Sequence, residues 1–182
     1  MIGEIRDLET AQIAIQSALT GHLVLSTLHT NNAAGAVTRL LDMGVDDYLI
    51  TSTVNAVVGQ RLVRLLCTAC RQPYTPSPEL VARLGLGGFA DTPEITLYRA
   101  VGCEACDHTG YVGRAGIFEI LVLDDNLRDL ILKSADSNAL HRAAVDAGMR
   151  TMYEDGLGKV LAGRTAIEEI LRVTRASEAR VD

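Results

Sequence analysis

The four cysteines are the feature that most constrains the fold of this 182-residue chain. They form two Cys-x-x-Cys pairs, Cys67 with Cys70 and Cys103 with Cys106. The two-residue spacing lets each pair present both thiolates to one ion, and four sulfurs complete a tetrahedron at about 2.3 Å from zinc. Such a closed shell leaves no position for water, so the metal would be structural. In a reducing compartment the pattern therefore favours a zinc site over disulfides, and the zinc would close the base of a small lobe.

Two unconnected thiol pairs, or a redox-active dithiol, are the alternative interpretations of the four cysteines. Turn residues flank the second pair, namely Gly102 before it and Thr109-Gly110 after it. A thioredoxin-like strand followed by a helix does not precede either pair, and this context favours the metal site.

Composition limits the class of partner. The chain has 17 Lys and Arg against 23 Asp and Glu, a net charge of −6, with 48% hydrophobic and 4% aromatic residues. This is a folded composition, and an acidic chain lacks the positive field with which proteins coat nucleic acid or a membrane surface. No apolar run approaches the ~20 residues of a membrane-spanning helix, and the first residues do not form a secretory signal. We expect a cytoplasmic protein without a membrane span and without a nucleic-acid partner.

Hydrophobic periodicity and turn residues predict an α/β fold. Three helices are predicted in the first third of the chain: one capped by Asp7 and ended by Gly21, one capped by Asn31 or Asn32 and ended by Gly44, and one from Asp47 to about Gly59. Strands are predicted at 2–4, 22–28 and 61–66. The branched apolar residues of 22–28 are typical of a strand that is buried on both faces.

The second half of the chain changes character. A mobile stalk or lobe is predicted over 72–96, which contains Gly85–Gly88 and all four prolines: Pro73, Pro76, Pro78 and Pro93. A strand is predicted over 117–122. The remainder to about residue 174 is predicted to be a small helical bundle, followed by a polar tail. The predicted N-caps of the bundle are Asp124 or Asp125, Ser137, and Thr165 in a capping box with Glu168.

Polar side chains follow the first two predicted strands at the point where each ends. Glu4 ends the first strand, and Ser26-Thr-Leu-His-Thr-Asn31 ends the second. An acid at this end of a strand can hold a magnesium-bound water or orient an attacking one, although many strands end in a solvated acid. If the strands are parallel neighbours, Thr27 and His29 lie beside Glu4, where they could sense a phosphate or position water. Otherwise His29 is a loop residue that caps the next helix, and Thr27 is an ordinary strand threonine.

A second histidine, His22, lies seven residues before His29. Seven extended residues span about 23 Å, so the two imidazoles cannot share one site in one subunit. We expect His29 to face the crevice, and His22 to serve folding or a neighbouring subunit.

Two segments give the chain a specific family resemblance. Gly3-Glu-Ile-Arg-Asp-Leu-Glu-Thr-Ala11 resembles the Walker B segment of the secretion and pilus-assembly ATPases, and Thr20-Gly-His-Leu-Val-Leu-Ser-Thr-Leu-His-Thr-Asn31 resembles their His box. The cysteine loop and the ending Gly163–Thr174 resemble, within that superfamily, the type II secretion ATPase. Pilus-extension ATPases share most of this pattern, whereas retraction ATPases lack the cysteine loop. The resemblance runs from residue 2 to about 174.

The resemblance implies a partial RecA-like P-loop ATPase core with a tetracysteine zinc lobe and a C-terminal helical bundle. The implied segments are 1–66 for the C-terminal half of the core, 67–112 for the zinc lobe, 113–123 for a strand that returns to the core, 124–174 for the bundle and 175–182 for a polar tail. The implied protein is a hexamer at the cytoplasmic face of the bacterial inner membrane. It would bind the secretion platform there and use Mg-ATP to drive pseudopilus assembly and protein export.

The resemblance also implies roles for individual residues. Glu4 would be the Walker B acid near Mg-ATP, and His22 and His29 would be the His-box pair, so the candidate catalytic residues are Glu4, Thr27, His22 and His29. The zinc ligands would be Cys67, Cys70, Cys103 and Cys106. Arg6 and Asp7 are expected to brace the turn through an ion pair.

The 182 residues contain no Gly-x-x-x-x-Gly-Lys-Ser/Thr, since the one Gly-Lys pair, Gly158-Lys159, lacks that context. We therefore expect that this chain alone neither binds ATP tightly nor hydrolyses it, and that it is the C-terminal half of an ATPase through truncation, gene fragmentation or a late start codon. Half of such a sheet would expose an edge that could pair with another copy. A pilus-extension ATPase fragment and a non-enzymatic interaction module held together by zinc are the alternative functions.

Overall fold

The computed structural model describes residues 1–89, 94–134 and 136–178, with side chains described as far as Thr174. Pro93 and the end of the predicted polar tail, 179–182, lie outside the described residues. The chain forms two compact units, one made of 1–59 and 119–150 and the other of 60–118 and 151–182. No helix among the described residues combines the length and the apolar character that crossing a bilayer demands.

The first two helices of the first unit begin and end where the sequence predicts. Helix α1 (Leu8–Leu19) starts after Asp7, whose carboxylate accepts the N–H of Thr10 at 2.8 Å. Helix α2 (Ala33–Asp42) starts after Asn32, whose side chain accepts the N–H of Gly35 at 2.8 Å. Gly21 and Gly44 follow the helix ends in the left-handed region, which glycine enters without strain.

The third helix is shorter than predicted. Helix α3 (Asp47–Thr53) ends six residues early, and strand β1 (Ala56–Leu66) begins at Ala56 instead of Arg61. The β-branched residues Val54, Val57 and Val58 explain the difference, because their stiff side chains favour extended backbone over helix.

Residues 2–5 and 22–28 lie side by side but do not form regular strands. The N–H of Ile2 donates to the carbonyl of Leu25 at 2.9 Å, and that of Ile5 donates to Thr27 at 3.0 Å, so the two segments run in the same direction. The predicted parallel placement is therefore confirmed. The predicted burial on both faces is wrong, since Leu23 is 81% and Leu25 58% exposed. Two such bonds are too few for a continuous ladder.

The core of the first unit lies among its helices. Helices α5 (Asp125–Leu132) and α6 (Ser137–Asp146) pack against α3 and α2. Fully buried side chains fill this core, among them Ile50, Leu121, Leu127, Ile131 and Leu140. Asp124 caps α5 as predicted, whereas Asp136 caps α6 and the predicted cap Ser137 is the first helical residue. The helices predicted as one bundle over 124–174 are thus divided between the two units.

Two strand pairs position the cysteines. Strand β1 pairs with β4 (Tyr111–Val122), which begins six residues before the predicted strand. Strand β2 (Gln72–Tyr74) pairs antiparallel with β3 (Leu97–Arg99) in the second unit.

The segment predicted as a mobile stalk is folded where the structure describes it. Helix α4 (Pro78–Leu84) follows Ser77, whose hydroxyl accepts the N–H of Leu80, and Leu84 and Leu86 are buried in the second core. The prolines led to the prediction of a mobile segment, but proline also favours the first turn of a helix, where its missing N–H costs nothing, and Pro78 is the first residue of α4.

Helices α7 (Met152–Leu161) and α8 (Ile167–Glu178) complete the second unit. The capping box lies at α7, where Thr151 and Glu154 exchange bonds of 2.8 and 3.2 Å. The capping box predicted at Thr165 is wrong, because α8 begins two residues later and the buried Thr165 hydroxyl donates to the carbonyl of Arg64 at 2.7 Å. The predicted tail begins too early, since α8 continues to Glu178.

Candidate functional site

The four cysteines converge as the spacing predicts. Cys67 follows β1, and the second pair lies on a 3₁₀ turn, Glu104–Cys106. Their four sulfurs all lie within 4.8 Å of one another, and three Sγ–Sγ distances are 4.0, 3.9 and 3.8 Å. A regular tetrahedron with zinc–sulfur bonds of about 2.3 Å has edges of about 3.8 Å. The donor set and its geometry therefore fit a structural metal ion.

Glycines permit the tight turns around the second cysteine pair. Gly102 has φ 110° and Gly110 has φ 77°, both in the left-handed region. A Cβ on Gly102 would lie 2.6 Å from the carbonyl oxygen of His108, and one on Gly110 would lie 2.7 Å from Cβ of Ala100. Because real Cβ atoms do not come this close, a side chain at either position would force the turn apart.

Backbone N–H groups point at the sulfurs. Gly102 donates to Cys70 Sγ at 3.3 Å, and Cys103 and Gly110 each donate to Cys106 Sγ at 3.2 Å. Desolvation raises the pKa of Cys103, and hydrogen bonds with the neighbouring thiols raise it further, to about 11. Desolvation also acts against the Cys106 thiolate, but hydrogen bonds from the backbone N–H groups and from the neighbouring thiols together outweigh it and lower the pKa of Cys106 to about 6. Such N–H donors stabilise the thiolate form, in which cysteine binds a metal ion.

The second cluster forms where residues 2–5 and 22–28 lie side by side. Glu4 Oε1 is 2.7 Å from Nε2 of His29, and Glu4 Oε2 is 2.7 Å from a guanidinium nitrogen of Arg6. The Thr27 hydroxyl donates to the carbonyl of Gly3 at 2.7 Å, which ties the two segments together at this end. The predicted ion pair between Arg6 and Asp7 is wrong, because Asp7 caps α1 and Arg6 pairs with Glu4.

Glu4 is an ionised carboxylate at neutral pH. The hydrogen bond from Arg6 lowers the pKa of Glu4 against the opposing effect of desolvation, and the charge of a protonated His29 acts in the same direction as Arg6. The Glu4 side chain is 22% exposed, whereas the His29 ring is 86% exposed. An ionised acid beside an exposed imidazole can accept a proton, orient a water or bind a cation.

The structure brings Glu4, Thr27 and His29 together but not His22. His22 is the first residue of the segment 22–28, and its Nδ1 lies 3.1 Å from the hydroxyl of Thr20. That the two histidines do not share a site stays a prediction.

Sequence reasoning missed two buried carboxylates. Glu119 is 3% exposed, and its Oε1 accepts the N–H of Ala33 at 2.6 Å, at the start of the helix that follows the His29 loop. Glu169 is 2% exposed and pairs with two arginines. Alternation along β4 was the available signal for Glu119, since it lies between the buried Ile117 and Leu121 on one face of the strand.

The chain is similar to known proteins over almost its whole length. The family model described as "Type II/IV secretion system protein" matches residues 1–172. The chain is 59% identical over 174 residues to Type II secretion system protein E of Xanthomonas campestris pv. campestris, and 51% identical over 175 residues to Type II secretion system protein E of Pseudomonas aeruginosa. It is 48% identical over 174 residues to Type IV pilus assembly ATPase PilB of Thermus thermophilus. Each alignment covers 96% of this chain but only 30%, 34% and 20% of the respective relative.

Solved structures show the same fold at lower sequence identity. The ATPase DotB of Legionella pneumophila superposes with a TM-score of 0.61 at 23% identity, covering 96% of this chain and 38% of DotB. The pilus retraction motor PilT superposes with a TM-score of 0.59 at 21% identity, covering 94% of this chain and 38% of PilT. The chain therefore has an α/β, ATPase-like fold and spans between 20% and 38% of the length of these relatives and solved structures.

Proposed function

The chain belongs to the Type II/IV secretion system protein family, and from this premise we propose that it is the C-terminal part of a type II secretion ATPase. The complete protein would be a hexamer with RecA-like P-loop cores at the cytoplasmic face of the bacterial inner membrane. ATP hydrolysis would power pseudopilus assembly and protein export together with the platform proteins of that membrane. The high identity to two Type II secretion system E proteins supports this assignment.

The contact between Glu4 and His29 is the observation that carries the proposal. Both side chains project from the ends of parallel neighbouring segments, where open α/β sheets bind their ligands. Glu4 is the Walker B acid that holds the magnesium-bound water of Mg-ATP or orients the attacking water. The hydrogen bond from Arg6 lowers the pKa of the Glu4 carboxyl group further, and Thr27 fixes the register that brings His29 to Glu4. His22, the other His-box residue, acts outside this cluster.

Zinc bound by Cys67, Cys70, Cys103 and Cys106 serves structure and not hydrolysis. The four thiolates occupy every position of a tetrahedral ion, so no site remains for water or substrate. The ion would hold the end of β1 and the start of β4 together, which are joined by the bond from Cys67 N to Gly110 O at 2.9 Å.

The 182-residue chain by itself neither binds ATP tightly nor hydrolyses it under this proposal. The amides of a phosphate loop and its lysine hold the β- and γ-phosphates in P-loop enzymes, and this sequence contains no such motif. The nucleotide site is complete only when a phosphate loop is supplied.

A chimaera tests the proposed role of Glu4. This chain replaces the matching segment of Type II secretion system protein E from Pseudomonas aeruginosa, and ATP hydrolysis is measured in the presence of magnesium. We expect Glu4→Gln to lower kcat at least a hundredfold, because an amide neither neutralises magnesium nor accepts a proton. The control is Glu79→Gln, which removes an equal charge from an exposed position on α4 and should leave kcat within about twofold. Equal rates in the two variants would contradict the proposal.

Pilus extension is the second candidate function, favoured by the 48% identity to Type IV pilus assembly ATPase PilB. The two functions are separated by placing the chain in chimaeras with both relatives, each expressed in its own host lacking the native protein. Restored secretion without restored pili supports the type II assignment, and the opposite result supports pilus extension.

A further inference from the structure

A groove rich in arginine opens on the surface of the second unit. Arg64, Arg114 and Arg172 line it together with Leu62, Tyr111 and Glu169, and its volume is about 540 Å³. We call it the Arg groove. Neither the cysteine cluster nor the Glu4 cluster contributes a residue to these six.

Glu169 forms the base of the Arg groove and shows how the groove holds a carboxylate. Its side chain is 1% exposed, and both oxygens accept bonds from two guanidinium groups. Arg64 reaches it through the backbone N–H, Nε and Nη2 at 3.1, 3.1 and 2.8 Å, and Arg172 through Nε and Nη2 at 3.1 and 2.6 Å. These donors saturate the carboxylate, while each arginine retains N–H groups that Glu169 does not use.

The residues that line the Arg groove carry a net positive charge. Three arginines and one glutamate leave an excess of two positive charges on a chain whose net charge is −6. Arg114 is exposed, and no carboxylate in the described part of the chain lies within ion-pair distance of it. An anion in the groove would meet Arg114 and the outer N–H groups of the other two arginines.

The lining of the Arg groove also includes apolar surface. Leu62 is half exposed, and the guanidinium of Arg64 lies 4.2 Å from the centre of the Tyr111 ring. A ligand that combines carboxylates with aliphatic side chains matches this lining, since arginine pairs bidentately with a planar carboxylate and Leu62 offers apolar surface.

We propose that the Arg groove is a docking site for an acidic peptide segment of a partner protein, bound through its Asp or Glu carboxylates. Two excess charges suit a short acidic segment. They are too few for nucleic acid or an anionic bilayer, which bind through many phosphates. The site is separate from the proposed ATPase chemistry and stands whether or not that chemistry is found.

The test measures binding of the 182-residue chain to a fluorescein-labelled peptide, Glu-Leu-Glu-Glu-Leu-Glu, by fluorescence anisotropy. The reference peptide replaces every Glu by Gln. We expect the acidic peptide to bind at least tenfold more tightly than the reference and to weaken as salt is raised, because salt screens exposed ion pairs. Arg114→Gln should weaken binding about fivefold.

The matched control is Arg83→Gln, which removes the same charge from an exposed position on α4 outside the Arg groove. It should leave the affinity unchanged, and circular dichroism checks that both variants fold. Equal binding of the two peptides, no binding of either, or equal effects of the two substitutions would overturn the proposal. Binding of single-stranded DNA or phosphatidylglycerol vesicles that depends on Arg114, without binding of the peptide, would also overturn it in favour of a phosphate ligand.

Discussion

Replacement of Glu169 by glutamine should make the protein less stable at neutral pH. It should also remove the part of the stability that is lost in acid when Glu169 becomes protonated. Burial disfavours the charged carboxylate, but the hydrogen bonds from Arg172 and Arg64 outweigh it and lower the pKa of Glu169 from 4.5 to about 2. Each pKa unit corresponds to about 1.36 kcal/mol, so ionised Glu169 contributes about 3 kcal/mol to the free energy of unfolding. The side chain is almost fully buried, so solvent screens this contribution little.

The pH dependence has a defined sign. The pKa is lower in the folded than in the unfolded protein, so the unfolded state takes up the proton first as pH falls. The contribution is therefore complete above pH 4.5 and is lost as the pH falls towards 2. Glu169→Gln should thus cost about 3 kcal/mol at pH 7, and the difference from the unsubstituted protein should shrink steadily below pH 4.5.

Urea unfolding followed by circular dichroism measures this difference at several pH values. The control is Glu168→Gln, which changes the adjacent exposed acid. Both variants retain the four cysteines, so any loss of metal at low pH affects them equally. A cost of Glu169→Gln below about 1 kcal/mol at pH 7, or a cost that does not change between pH 6 and pH 2, would refute the reasoning.

Three further substitutions test other parts of the structure. Gly110→Ala places a Cβ 2.7 Å from that of Ala100, so zinc affinity measured by chelator competition should fall at least tenfold, whereas Gly87→Ala, which meets no atom within 4 Å, should leave it unchanged. Glu119→Ala removes the acceptor of the Ala33 N–H and should lower the free energy of unfolding in urea by about 1–3 kcal/mol, with Glu119→Gln closer to the parent because its amide oxygen still accepts. Thr151→Ala breaks the capping box of α7 and should cost about 1 kcal/mol, seen as a lower Tm, and an unchanged Tm would contradict the assigned cap.

Local signals predicted the parts of the fold that depend on neighbouring residues. The caps Asp7 and Asn32 and the glycines that end α1 and α2 were predictable because each acts within one turn of helix. The cysteine cluster was equally predictable, since two Cys-x-x-Cys pairs leave few arrangements for four thiolates.

Tertiary context decided the features that the sequence did not predict. The Thr165 hydroxyl bonds to Arg64, which lies 101 residues away, and this partner prevents it from capping α8. Glu119 bonds to Ala33 across 86 residues, so its role depends on the pairing of distant segments. The apolar run 22–28 predicted a buried strand, but burial depends on covering layers that no local pattern specifies.

The contact between Glu4 and His29 could be predicted only on the assumption that their two segments are parallel neighbours. The sequence indicated that Glu4 and His29 meet if their segments are parallel neighbours. Two backbone bonds and the 2.7 Å contact between their side chains meet that condition. The partner of Arg6 was not predictable, because Glu4 and Asp7 are both within its reach in the sequence.

Parallel measurement of ATP hydrolysis by the isolated chain and by its chimaera with the Pseudomonas aeruginosa relative tests the central claim most directly. The account predicts no turnover above background from the isolated chain and magnesium-dependent turnover from the chimaera. Measurable hydrolysis by the isolated chain, or a folded chimaera that binds ATP but shows no hydrolysis, would contradict it.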